Sequence, residues 1–461
     1  MEAHEVVSRN ADRYVEWLTQ ACSFPSLAGE PQGLEDMASW LEARFEALGA
    51  TTERLTFEGA PDALLATIGH GAVTEDEAAG KSVLVYDHYD VQPVDPIELW
   101  DSKPFEPVIR DGVFFARGAA DNKGDLVARL AGLEVYAELH GELPFGVKFF
   151  VEGEEETGSP SFEGIVSRYG HKLAADGCIW EGFGVDNAGR PELVFGAKGL
   201  AYVELVHKGL ASDQHSSYAS IAPSPVWHLV EALATLRSPD GTVLIDGFYD
   251  DVQAPGADEV ELLAAIPFEE EAEKKRFGID HFIGGDTGVD LVRRHLFGPT
   301  ANIAGIHAGF TVPGASKTVL PREAMAKIDF RLVPDQDPDD IVVKLRRHLA
   351  KHGYDAIEVS THSMEHPSRS PVDSVIGRAS IAAAKRVWDE GPVIAPLMAG
   401  TGPMYPIANT LGIPIVSPVG VYRPESNIHA PNENVLVDQY LKIIEYTVAW
   451  LEVFGEQTAG A

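Results

Sequence analysis

Cysteine is almost missing from this chain: Cys22 and Cys178 are the only two in 461 residues. They stand far apart, which excludes a disulfide scaffold and fits a reducing compartment. Positive charge is also short. Lys and Arg number 36 against 71 Asp and Glu, for a net charge of −35. A chain so acidic is repelled by nucleic acid and by anionic membrane surfaces, so neither is expected as a partner. Long apolar runs are absent too, and nothing approaches the ~18 consecutive residues a membrane span needs. The opening MEAHEVVSRNADRYVEW carries no basic segment followed by an apolar one. No secretory signal is therefore expected, and a cytoplasmic location is.

What is present is ordinary globular composition on a chain too long for one comfortable core, so two domains are expected. Helices are predicted at 11–22 and 34–48 from apolar residues at helical spacing. Short apolar runs then alternate with a helix at 123–140. These runs are Ser82 to Tyr86 (SVLVY), Gly146 to Val151 (GVKFFV) and Gly177 to Trp180 (GCIW). That rhythm predicts an α/β sheet covered on both faces. After Lys198-Gly199 the strands lengthen and alternate, as in AYVELV (201–206) and AMAKIDFRL (324–332), with helices at 224–237 and 338–351. Residues 249–275 are acidic and read as an exposed, turn-rich excursion. The βα rhythm resumes near 370, with a helix at 374–389, a strand at 413–417 and a long helix at 436–454. The expected fold is an α/β domain, 1–197 plus 369–461, interrupted by an α+β insertion at 198–368.

Polar clusters sit where strands of the α/β domain should end, the usual ligand-binding edge of such sheets. Tyr86-Asp87-His88-Tyr89-Asp90 follows SVLVY; His88 and Asp90 point to one side of an extended segment, and a metal-bound histidine usually has a carboxylate on its other ring nitrogen. The plain alternative is an exposed turn. Arg117-Gly118-Ala119-Ala120-Asp121 precedes a helix, where aspartate also serves simply as an N-cap. Glu154-Glu155-Glu156 follows GVKFFV; such a run is often a solvated loop, yet adjacent carboxylates repel unless a cation collects them. Asn427-Ile428-His429 is by itself a loop histidine, and Glu181, after GCIW, a sheet-edge acid. Taken together, two histidines and three or more carboxylates at one sheet end form the N/O donor set that suits zinc, with manganese or cobalt able to stand in.

YDHYDVQP, RGAADNKG, EGEEETGS and NIHAPNE, in this order, resemble the co-catalytic zinc peptidase family of carnosinases, cysteinylglycine-type dipeptidases, aminoacylases, acetylornithine deacetylase and glutamate carboxypeptidases. ASDQHSS, PTANIAGI, GASKTVLP and DFRLVPDQDP sharpen the resemblance toward its dipeptidase branch. The resemblance implies a zinc-peptidase-like α/β domain interrupted by a lid that dimerises. It implies that two divalent metal ions are held by His88, Asp121, Glu156, Glu181 and His429, with Asp121 bridging and Asp90 orienting His88. It makes Glu155 the general base toward a metal-bridging water and leaves Glu154 a bystander. His215 is expected to reach the reacting carbonyl oxygen in a partner subunit's site. Arg331 is expected to bind a substrate carboxylate, as is Thr401, in Ala399-Gly400-Thr401-Gly402-Pro403.

The implied reaction is hydrolysis of the amide bond of dipeptides or dipeptide-like substrates with a free carboxylate. One departure pulls elsewhere. Dipeptidase relatives usually carry Ser-Asp-Thr-Gly where this chain has Trp180-Glu181-Gly182-Phe183, and glutamate there accompanies acylated substrates. An N-acyl or N-carbamoyl amino acid amidohydrolase, or a carboxypeptidase, is the alternative. A non-catalytic metal- or peptide-binding protein would leave Glu155 without a purpose. A calcium surface lacks the D-x-[DN]-x-[DN]-G spacing, and calcium prefers oxygen over histidine.

Overall fold

The computed structural model describes residues 2–69 and 81–459. The chain divides into two compact units: Met1–Gly196 with Ser370–Pro396 and Pro406–Ala461, and Ala197–Arg369 with Leu397–Tyr405.

The first unit is built on a six-stranded sheet. In chain order its first five strands are β1 (Thr51–Leu55), β2 (Ala63–Gly69), β3 (Ser82–His88), β4 (Gly146–Glu152) and β5 (Cys178–Ile179). Their spatial order is β1-β2-β4-β3-β5, followed by Ile415–Val416. β1, β2 and β4 pair antiparallel, whereas β4, β3, β5 and Ile415–Val416 run parallel. Every residue of β3 is buried, as a parallel strand covered on both faces must be, and this is why SVLVY reads as an unbroken apolar run.

Helices α1 (Ala11–Cys22), α2 (Pro31–Ala47) and α3 (Lys123–His140) cover this sheet together with Val375–Val387 and Val437–Ala459. α3 is buried on nearly all sides through its first four turns, from Lys123 to Tyr136. It packs against α1 and Val437–Ala459 and ends at Gly141, whose φ of 81° a side chain would resist. Each fully buried Leu or Val here, such as Leu126, Val127 or Leu130, contributes about 1.5–3 kcal/mol. Among the described residues, no helix is long and apolar enough to cross a membrane.

The second unit has a four-stranded antiparallel sheet of β6 (Gly199–Lys208), β7 (Thr300–Ala308), β8 (Glu323–Leu332) and β9 (Glu358–Glu365), in spatial order β7-β8-β6-β9. β8 alternates strictly between half-buried and buried positions. Its inner face packs with α4 (Pro225–Ala234) and α5 (Pro338–Lys351) through Ala326, Ile328, Phe330, Leu229 and Leu345. Both helices start as their sequences suggest: the Ser224 hydroxyl accepts from Trp227 N, and Asp337 accepts from the amides of Asp339 and Asp340.

The stretch 249–275 is mostly exposed, as expected, but it is helical rather than turn-rich. Ala257–Ala265 and Glu270–Phe277 are helices, and Leu263 is buried with Val292, Leu296, Phe297 and Leu397. Acidic composition concealed a helix with one apolar anchor.

Candidate metal centre and active site

The sheet determines where the site forms. In the parallel register His88 sits beside Glu152 and Val85 beside Ile179. The three exits from β3, β4 and β5 therefore open at one edge, carrying His88 and Asp90, Glu155 and Glu156, and Glu181. Two further loops come in from the starts of helices. Asp121 lies just before α3, and His429 just before Val437–Ala459. The pairing of Val113–Phe115 with Asn434–Leu436 ties these loops together.

Asp121 is the centre of the arrangement. Its Oδ1 lies 3.0 Å from His88 Nε2, and its Oδ2 lies 3.0 Å from His429 Nε2. On the His88 side Glu181 Oε2 is 3.4 Å from the same imidazole nitrogen, and on the other Glu156 Oε2 is 3.0 Å from His429 Nε2. Two metal-sized groups result, His88–Asp121–Glu181 and Asp121–Glu156–His429, and they share Asp121. Behind His88, Asp90 Oδ1 lies 3.3 Å from Nδ1. Asp90 also accepts the backbone amides of Glu155 and Glu156, at 3.2 and 3.0 Å. One buried carboxylate thus orients both the imidazole and the turn bearing the two glutamates.

Within the cluster the imidazoles and carboxylates shift one another's proton affinity. Hydrogen bonds to Asp121 and then Glu156 lift His429 to about 10. His88 is raised as well: burial opposes its charge, but the bonds to Asp121, Asp90 and Glu181 outweigh that. Asp121 is buried, which favours its neutral form, yet its two imidazole partners hold it well below the carboxylate range. Glu155 moves the opposite way. Burial raises it first, and the carboxylates of Glu181, Asp121 and Glu156 add to this against the pull of His88. A carboxyl whose proton affinity is raised beside such a cluster suits the role of a proton carrier.

The Peptidase family M20/M25/M40 profile matches residues 84–453, a span containing all seven of these residues. The chain belongs to this family. The Cys-Gly metallodipeptidase of Schizosaccharomyces pombe is 30% identical over 361 residues, 76% of this chain and 75% of that one. The human Beta-Ala-His dipeptidase is 28% identical over 348 residues, 72% of this chain and 66% of that one. The crystal structure of an M20 family metallo-carboxypeptidase from Sulfolobus solfataricus superimposes with a TM-score of 0.87 at 38% identity, covering 96% of this chain and 99% of the other.

As an M20 protein the chain belongs to a dinuclear, metal-dependent peptidase family, and its donor set fits two divalent ions. Each group offers one imidazole and two carboxylates around a shared aspartate, the mixture that borderline cations prefer.

Several supporting residues escaped the sequence reading. Glu433 is fully buried; its Oε2 accepts from Arg117 Nη1 at 2.7 Å and Gly118 N at 2.9 Å, and its Oε1 from Ala120 N at 2.8 Å and Asp121 N at 3.1 Å. Asn122 Nδ2 donates to Glu181 Oε2 at 3.1 Å and Trp180 Nε1 to Glu181 Oε1 at 2.9 Å. Arg129 joins two strand ends, donating to Asp87 Oδ1 at 2.7 Å and Trp180 O at 2.6 Å. Glu154, the bystander, accepts the amide of Ser161 at 2.8 Å and so braces the acidic turn. In the loop 427–432, Asn427, His429 and Asn432 all have left-handed backbones, with φ of 55°, 58° and 61°. Asparagine and histidine are both enriched among the few non-glycine residues that adopt this region.

His215, Arg331 and Thr401 belong to the second unit. His215 is exposed, its Nδ1 2.9 Å from Ser217 Oγ and its Nε2 3.2 Å from Thr318 Oγ1. Arg331, on β8, donates through Nη1 to Thr401 Oγ1 at 2.6 Å, so these two distant residues do meet.

Proposed function

We propose that this M20 chain is a dinuclear metal-dependent dipeptidase that cleaves the amide bond of small dipeptides or dipeptide-like substrates with a free carboxylate. The observation carrying this reading is Asp121, facing one histidine through each carboxylate oxygen, with a raised-pKa Glu155 beside it. His88, Asp121 and Glu181 would hold one ion and Asp121, Glu156 and His429 the other, with Zn2+ the expected metal and Mn2+ or Co2+ able to replace it. A metal pair bound there supplies Lewis acidity and lowers the pKa of water. Glu155 takes the proton of the attacking water and passes it to the leaving nitrogen. Asp90 keeps the His88 imidazole in one tautomer and holds the turn that aims Glu155. Arg331 and Thr401 grip the substrate carboxylate, and His215 donates to the scissile carbonyl oxygen in the site of a partner subunit.

The partner is a second copy of the chain, giving a homodimer through the inserted unit. Supporting this, β7 is one of the two edge strands of its sheet and exposes Ile303 and Ile306, while α4 exposes Trp227. A cytoplasmic location accords with two free, buried cysteines.

A second reading, hydrolysis of N-acyl or N-carbamoyl amino acids or carboxypeptidase action, is favoured by Glu181 and by the similarity to the Sulfolobus metallo-carboxypeptidase. The deciding experiment sets dipeptides beside N-acetyl and N-carbamoyl amino acids, using protein of measured metal content. Dipeptide turnover with two metal equivalents is the expected result. Turnover confined to acylated amino acids would replace the first reading with the second, and inactivity of the fully loaded protein on every substrate would remove both.

A further inference from the structure

Trp180 leads the chain out of the sheet at β5, one residue before Glu181. Its indole is fully buried, lying 3.6 Å from the Tyr86 ring at an interplanar angle of 15° and meeting Phe162 edge-on at 6.1 Å. The two stacked residues are each held by a hydrogen bond. Arg129 holds the Trp180 carbonyl at 2.6 Å, and the Tyr86 hydroxyl donates to Glu152 Oε1 at 2.5 Å. A buried indole N–H is costly to leave unpaired and has only a donor role. Here it donates to Glu181 Oε1 at 2.9 Å.

This makes the two oxygens of Glu181 inequivalent. Oε1 is turned toward the wall and engaged by the indole. Oε2 accepts from Asn122 Nδ2 at 3.1 Å and faces His88 Nε2 at 3.4 Å. A carboxylate pinned at one oxygen cannot swing to present both. Phenylalanine would keep the ring in the stack but offer no N–H.

We infer that Trp180 is a positioning residue that fixes Glu181 as a one-oxygen donor to the metal position it shares with His88 and Asp121, while the position of Glu156 and His429 does not depend on it. This rests on the proposed assignment of Glu181 as a ligand. Outer hydrogen-bond partners of metal ligands are typically worth about 10–100-fold in affinity. That loss should fall on one of the two metal positions. A role confined to packing would loosen the strand end and weaken both.

The test titrates the metal-free protein with Zn2+ against a competing chromophoric chelator, using the parent, W180F and E181Q. Two equivalents are expected for the parent and one tight equivalent for E181Q. W180F should keep two, with one weakened about 10–100-fold and the other unchanged. Equal weakening of both positions in W180F, or of neither, overturns the role of Trp180. An E181Q protein that still binds two equivalents tightly overturns the ligand assignment instead, so the two failures are distinguishable. A second readout needs no folded W180F. Among the indole 15N–1H resonances of the seven tryptophans, one that is displaced in E181Q should also move when Zn2+ is added to the parent. If no indole signal responds to Zn2+, the inference falls.

Discussion

Glu433 Oε1 accepts the backbone N–H of Asp121 at 3.1 Å, so the residue that faces both histidines is itself held by a buried carboxylate. The same side chain receives the amides of Gly118 and Ala120 and the guanidinium of Arg117.

For Glu433→Gln this predicts damage at a distance. An amide cannot accept at both ends, so it leaves buried Arg117 without its counter-charge, and breaking such a pair costs about 3–5 kcal/mol. Thermal unfolding should shift down, and metal affinity should fall because Asp121 loses its anchor. A variant with the parent's melting temperature and metal affinity would refute this.

Glu155→Gln should retain both metal equivalents and lose turnover by about 10²–10⁴-fold, the usual scale for a positioned proton carrier. Metal analysis and kcat on the same preparation check it. Parental kcat at full metal content would remove Glu155 from the mechanism.

The metal-free protein should have a characteristic pH response. His429 is raised from 6.5 to about 10 by Asp121 and Glu156. A histidine so raised lends stability that is complete below pH 6.5 and is lost as pH climbs through 10. The urea midpoint of chelated protein should therefore fall across that window. Metal-loaded protein should not follow, because the ligand imidazole is already deprotonated. A midpoint that stays level in the chelated protein would contradict the assignment.

Arg331→Met should raise KM for substrates with a free carboxylate and leave carboxamide analogues nearly unaffected, since only the former use the guanidinium. Equal loss on both kinds of substrate would assign Arg331 to structure instead.

His215→Ala and Glu155→Gln should each be inactive alone. After mixing under conditions that exchange subunits, activity should return in part, because one mixed site then has both an intact histidine and an intact base. Mixed species that form without regaining turnover would place the action of His215 within a single chain.

The strands SVLVY, GVKFFV and GCIW were legible because strands buried on both faces are largely apolar, and the motifs at their ends fell together because parallel neighbours end at one edge. What stayed hidden depended on burial and on distant pairing. Nothing local distinguishes Glu433 from a surface glutamate until Val113–Phe115 pairs with Asn434–Leu436 and closes over it. Trp180 reads as the last apolar residue of a strand, and its hydrogen bond depends on where the next side chain turns. β7 is exposed along most of its length, so its alternation carries no strong apolar signal. Leu397–Tyr405 packs with the second unit although the sequence on either side belongs to the first.

The left-handed backbone at His429, φ 58°, has a consequence for how this chain tolerates change. A non-glycine residue held there costs of order 1–3 kcal/mol. Glycine would relieve the loop and abolish the imidazole. At alkaline pH, where the neutral imidazole no longer lends that stability to chelated protein, a screen that rewards folding alone should favour glycine at 429, and one that rewards turnover should never accept it: robustness and chemistry there select opposite residues.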